Sequence, residues 1–210
     1  MNKPVLAIET SDQICGACIY FGDEKYFSSK AVAKHSHSEM LFKTIDLVIN
    51  QSGIEKNDID YIAVSEGPGS FTGLRIGMSA AKGMALGLSI PILPVPTFEA
   101  LALQLSFILN DEEIIIANKI NKDEVYFAKF HVKTNNYIFT QDLKILQKSE
   151  LDFVDKSARK FGSAFLNSRF NSPEPEFIAK WAAQFGEKLK TSDIDNLEPH
   201  YVKNFIVKEK

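Results

Sequence analysis

Long apolar runs are missing from this chain of 210 residues. No stretch approaches the roughly 20 consecutive apolar residues needed to cross a bilayer. The opening MNKPVLAIETS passes directly into a strand-like run, without the longer apolar core and cleavage site of a secretory leader. A cytoplasmic location with no membrane partner is therefore expected. An excess of basic charge is missing too. The net charge is −3, from 24 basic and 27 acidic residues, which excludes a chain that coats nucleic acid over its whole surface but leaves room for a local basic patch. Cysteine is scarce. The two present, Cys15 and Cys18, have the spacing of a redox or zinc motif. They lie in ICGACIYF, however, a strand-like run in which positions i and i+3 face opposite sides. A redox pair stands at a helix N-terminus, and a zinc site needs two further ligands. Buried, reduced thiols are expected.

What is present is an ordinary globular composition, 45% apolar and 24% charged, with length for one large domain or two small ones. Three strand-like segments come first: PVLAIET, ICGACIYF and KYFSSKAVA. A helix follows in SHSEMLFKTIDLVINQSG, where Met40, Leu41, Ile45, Val48 and Ile49 recur at helical spacing. DIDYIAVSEG is a strand, SFTGLRIGMSAAKGMALG a helix, Pro91 to Val95 a strand, and PTFEALALQLSFILN a helix. Around Asn110 the pattern restarts with three more strands, EIIIANKI, EVYFAKFHV and NNYIFTQDLKIL. A short helix is expected in SELDFVDK, a strand and turn in ARKFGSAF, and a helix in PEPEFIAKWAAQFGEKLK with Phe177, Ile178, Trp181 and Phe185 inward. A three-strand meander followed by alternating helices and strands builds a mixed sheet with helices on both faces, with the first and fourth strands parallel and adjacent. The expected fold is α/β, with two ribonuclease-H-like subdomains of the actin-like ATPase type, residues 1–109 and a smaller, degenerate 110–210, its tail packing back on the first.

The stretch SEGPGSFTGLRIGMSAAKGMALG, Ser65 to Gly87, is the most informative. Its opening has the look of a phosphate loop, but Gly73 is followed by Leu74-Arg75 where a P-loop has Lys-Ser/Thr, and the third glycine of a dinucleotide fingerprint falls on Thr72. Gly67, Pro68, Gly69 and Gly73 read as a structural loop that opens a helix. Within that helix, small residues form two rows: Gly73, Gly77, Ala81 and Ala85, and Ser79, Gly83 and Gly87. A helical glycine costs up to about 1 kcal/mol relative to alanine, so several together require close packing on two sides. One side faces the chain's own sheet. Pattern alone leaves two claimants for the other, a neighbouring helix of the same chain or a separate protein.

Two rival chemistries are present in outline. Glu9 ends the first strand, Glu66 the fourth, and Glu39 lies early in the first helix. Such carboxylates can hold two metal ions in a phosphodiester-cleaving enzyme of this fold. Against this, turn-flanking acids are commonly simple turn partners. The four histidines, His35, His37, His131 and His200, form no His-x-x-x-His pair, and Ser70 and Ser79 have no general base nearby in sequence. No metal ligand and no catalytic residue is assigned.

GPGSFTG followed by arginine, with LAIETS and HSEML before it and LEPHYVKNF at the end, resembles the bacterial TsaB (YeaZ) family. The match is good over the first 100 residues and loose over 110–195. The resemblance implies a non-catalytic subunit of the machinery that adds a threonylcarbamoyl group to adenosine 37 of tRNAs. It implies pairing with a catalytic TsaD-like subunit and a TsaE-like ATPase, homodimers in isolation, and tRNA as substrate of the complex. It implies no cofactor of the chain's own, with weak ATP or ADP binding at the complex interface. It favours a partner on the outer helix face, with an interface of Ser70, Phe71, Thr72, Leu74, Arg75, Met78, Ser79, Lys82 and Gly83, joined by Leu41 and Ile45 of the first helix.

Overall fold

A computed structural model describes residues 3–32, 37–166 and 168–202. β1 (Val5–Glu9) is buried along its whole length, as a central strand must be. β2 (Ile14–Gly22) and β3 (Lys25–Val32) follow antiparallel, and β3 alternates between exposed and half-buried as befits an edge. α1 (His37–Ser52) leads to β4 (Tyr61–Gly67), and α2 (Phe71–Leu88) leads to β5 (Ile92–Pro96). The sheet order is β3-β2-β1-β4-β5, with β4 parallel to both β1 and β5. This is the order expected of the first half. It brings the C-terminal ends of β1 and β4 side by side.

α3 (Thr97–Ser106) then enters a second sheet built from β6 (Glu112–Lys119), β7 (Glu124–Lys133), β8 (Asn136–Gln147) and β9 (Arg159–Phe161), in the order β8-β7-β6-β9. β6 pairs antiparallel with β7 and parallel with β9, repeating the first sheet without its fifth strand. α4 (Pro175–Phe185) closes the regular structure.

Three apolar layers follow. Leu6, Ile8 and Ile19 meet Leu41, Ile45, Met78 and Ala81 from α1 and α2. On the opposite face Val5, Ala7 and Cys18 meet Ile178, Ala179 and Trp181 from α4. α3 lies between the two sheets, giving Ala100 and Leu103 to the first and Phe98, Leu101 and Leu105 to the second. Cys15 and Cys18 are buried, free, and on opposite faces, as strand periodicity requires.

Three expectations need correction. The division at residue 110 follows the sheets but not the helices. α4 lies beyond it in sequence, yet packs on the first sheet, sharing that sheet's second face with Ala100 and Leu103 of α3. Among the described residues the outer face of the second sheet is covered by a 3-10 helix, residues 148–153, and the loop after it in place of an α-helix: Ile115 and Phe127 pack under Leu151, Val154 and Phe165. Phe185 is 39% exposed, stacked beside Trp181 rather than inside. The last described stretch does pack back. Thr191 pairs with Ile92 through two backbone bonds of 2.8 and 2.9 Å, Ile194 joins the first core, and His200 donates its N–H to the Glu66 carbonyl at 2.7 Å. Phe205 and Ile206, expected to pack with Tyr201 and Val202, lie outside the described residues.

Candidate functional site

The C-terminal end of β1 and the start of α2 are built around each other. Ser70 caps α2, its Oγ accepting from Gly73 N at 3.2 Å. Ser70 donates its own N–H to the Ser11 carbonyl at 2.6 Å. Thr10 Oγ1 donates to the Gly73 carbonyl at 2.8 Å. The glycines serve this contact. A Cβ on Gly69 would stand 2.5 Å from the Ser11 carbonyl oxygen, one on Gly73 would overlap the Thr10 carbonyl, and one on Gly77 would overlap Thr10 Oγ1. Of the motif's glycines, only Gly67 has a positive φ, 119°, and so needs glycine for its own backbone. Thr10 and Ser11 are thus functional-site residues that sequence reasoning missed.

Beneath them Glu9 is fully sealed. One carboxylate oxygen accepts from Ser11 N at 2.6 Å and from Ser11 Oγ, and the other from Ser65 Oγ. Burial pushes its pKa up to about 7, against the pull of these donors in the opposite direction. Glu66 is also raised to about 7, by burial first and then by the nearby charge of Glu99. The metal-holding trio does not assemble. Glu9 is enclosed, while Glu39 is exposed on α1. Among the described residues no three His, Cys, Asp or Glu side chains stand together as a ligand set. His37 Nε2 lies 3.2 Å from the Ile14 carbonyl oxygen, and His131 lies between Asp111 and Glu113. His35 lies outside the described residues. Burial raises both thiols above the ordinary range, Cys15 to about 11, so neither is poised as a nucleophile.

The outer face of α2 is the exposed surface of the site. Ser70, Thr72, Arg75, Ser79 and Gly83 are exposed, Phe71 is 41% exposed, and Lys82 is half-buried, its Nζ 3.3 Å from the Asp195 carbonyl. Nothing approaches a Cβ placed on Gly83 or Gly87. The Ser79–Gly83 row therefore faces outward, and the Gly77–Ala81–Ala85 row faces the sheet. Leu74, Met78, Leu41 and Ile45 do not belong to the surface. Each is at most 2% exposed within the chain's own core, because each falls on the sheet-facing stripe of its helix. They back the surface rather than present it. Beside the exposed face, α1 and α2 enclose a groove of about 590 Å³ lined by Phe42, Phe71, Arg75, Ile76 and Ala80. The Arg75 guanidinium lies over the Phe71 ring at 3.9 Å and its Nε donates to the Tyr201 hydroxyl at 3.0 Å. Tyr201 in turn stacks on Phe71 with ring centres 5.0 Å apart. A second, more polar cleft of about 730 Å³ lies between the sheets, lined by Ser11, Asp12, Ser70, Thr72 and Asn118. The N–H groups of Gly67, Ser70 and Gly73 are already bonded to Thr97 Oγ1, the Ser11 carbonyl and Ser70 Oγ. These three donors are thus turned on the chain itself.

Comparison with known proteins agrees with this architecture. Residues 27–164 match the family model described as TsaD, tRNA N6-adenosine threonylcarbamoyltransferase. A tRNA threonylcarbamoyladenosine biosynthesis protein TsaB from Haemophilus influenzae is 33% identical over 129 residues, 61% of this chain and 54% of that protein. The protein of the same description from Escherichia coli is 26% identical over 147 residues, 70% of this chain and 63% of that protein. The matches thus span less than two thirds of these relatives. A solved structure of YeaZ from Pseudomonas aeruginosa superposes on 95% of this chain and 100% of that one, with a TM-score of 0.79 at 20% identity, which speaks for the fold. With the sheet order, the Gly-rich seat of α2 and the model match in hand, the chain belongs to the family that the TsaD model describes, and within it is similar to proteins named TsaB.

Proposed function

We propose that this chain is the non-catalytic subunit that pairs with a TsaD-type threonylcarbamoyltransferase and supports threonylcarbamoyl transfer to adenosine 37 of tRNA. One observation carries the reading. α2 presents an outer face of Ser79, Gly83 and Gly87 with open space above the glycines, beside an apolar groove. A helix that exposes glycines gives up stability to do so, and the compensation is close approach of a second backbone. The TsaB descriptions of its relatives name the pathway, and likeness to the TsaD model supports a partner of related fold, packed helix on helix. In this reading the chain holds no cofactor and turns over nothing alone. A TsaE-like ATPase joins the pair, tRNA meets the assembled complex, and without its partner the chain pairs with itself through the same face.

The test is reconstitution with the TsaD-type enzyme of the same organism. Mixed, the two should co-elute as a heterodimer, and transfer of the threonylcarbamoyl group to tRNA should require both. Gly83→Arg should abolish co-elution while the chain folds as a monomer with a melting temperature no lower than that of the wild-type monomer, since a side chain at Gly83 meets open space and arginine is the better helix former. A chain that modifies tRNA unaided, or a Gly83→Arg variant that pairs normally, contradicts the proposal.

A further inference from the structure

We infer that Glu9 is a positioning residue for the partner face of α2: its enclosed carboxylate fixes Ser11 and Thr10, and these set the angle at which α2 leaves the sheet. The inference rests on reading α2 as the partner-bearing helix and adds to it the residue that sets the geometry of that helix.

The connection is short and contains little that can give. Glu9 holds Ser11 by its N–H and its hydroxyl, and holds Ser65 of the adjacent strand by its hydroxyl. The Ser11 carbonyl takes the Ser70 N–H, and Thr10 Oγ1 reaches the Gly73 carbonyl. Gly69, Gly73 and Gly77, spaced four apart, lay helix backbone directly on Thr10 and Ser11, with no room for a Cβ between. A backbone-on-backbone contact has no side-chain rotamer to absorb a shift. Gly83 lies 13 residues beyond the cap, about 20 Å along the axis at 1.5 Å per residue, so a tilt of about 5° at the seat moves the outer face by nearly 2 Å.

The donors around Glu9, from Ser11 and Ser65, offset part of the cost of enclosing an acid there. Ser65 Oγ lies 3.2 Å from the Ile8 carbonyl as well as against Glu9. Its hydroxyl can turn to Ile8 when the neighbouring atom is itself a donor. Glu9→Gln therefore keeps shape and hydrogen bonding while removing the charge that grips Ser11. Since a buried charge works against folding, a residue kept there for structure alone has no need to be an acid.

The experiment compares Glu9→Gln with wild type and with Ile62→Val, a core change in the same sheet, away from the seat. Each is measured for melting temperature and for affinity toward the TsaD-type partner above neutral pH. Glu9→Gln should melt no lower than wild type yet bind about tenfold more weakly, within the range of coupling energies between sites. Ile62→Val should melt lower and bind as wild type does. Equal affinity for Glu9→Gln and wild type overturns the inference. So does a loss of affinity in Glu9→Gln no greater than in Ile62→Val. A wild-type chain that does not bind the partner at all overturns the functional reading itself. Should Glu9→Gln fail to fold, Ser11→Ala and Ser65→Ala each remove one hydroxyl arm and are expected to weaken binding with the fold intact. Unchanged affinity in both overturns the inference by the same logic.

Discussion

Glu9 and the serines around it carry the clearest chemistry at the scale of single residues. Its pKa lies near 7 in the native state, against 4.5 as the ordinary value. At low pH both native and unfolded states hold the proton, and burial costs nothing extra. As pH rises through the ordinary value, the unfolded chain releases its proton first, and the native state is penalised until its own pKa is passed. Stability contributed by this site therefore falls between about pH 4.5 and 7 and is level above that, by roughly 3 kcal/mol at 1.36 kcal/mol per pKa unit. The measurement is denaturant unfolding of wild type and Glu9→Gln across that window. The variant should gain on wild type as pH rises, and a constant difference contradicts the expectation. Glu66 changes in the same direction, which is why the comparison is made against the variant and not read from wild type alone. Thr10 shows where sequence reasoning stops at this scale. The glycines of the motif invite a search for unusual backbone angles, which only Gly67 shows. Gly73 and Gly77 answer to a threonine 63 residues away from Gly73, and Gly69 to the serine beside it, and nothing in the local spelling announces those contacts.

Elements were the most legible level, because their signals are local. The strand-like run KYFSSKAVA, the apolar spacing in SHSEMLFKTIDLVINQSG and the small-residue run after the glycines each placed an element to within a few residues of β3, α1 and α2. The departures are local as well. The 148–153 segment is helical where a short helix is expected, but as a 3-10 helix and not an α-helix. α4 stops at Phe185, several residues short of the expected helix, and Gly186, in right-handed backbone, leads into a short 3-10 turn over 187–189. For α2, the two small rows were legible but not their directions, and the distinction is now measurable. Gly83→Ala and Gly87→Ala meet open space, so each should raise stability by about 0.5–1 kcal/mol through helix propensity. Gly77→Ala drives a methyl into Thr10 and should lower it by about 1–3 kcal/mol. Chemical denaturation of the three variants decides the matter, and equal effects on both rows would contradict the assignment of faces.

Whole-molecule organisation was half legible. The order of the first sheet follows from crossover rules, whereas the destination of α4, beside α3 on that sheet's second face, is recorded by no local pattern. A fragment of residues 1–109 leaves Val5, Ala7, Cys18 and Tyr20 without α4 and should be insoluble or unfolded. Supplying residues 110–210 in trans should recover it, and a well-folded 1–109 fragment would restore the division at 110. The bridge between Thr191 and Ile92 has a consequence beyond tying down the tail. β5 is the outermost strand of its sheet and contains Pro94 and Pro96, which offer no N–H, while Thr191 takes both backbone groups of Ile92. The rim is thereby closed to strand-by-strand growth from another molecule. On the proposed reading, in which the chain adheres through one helical face, this margin of the sheet adds no second, strand-wise adhesion.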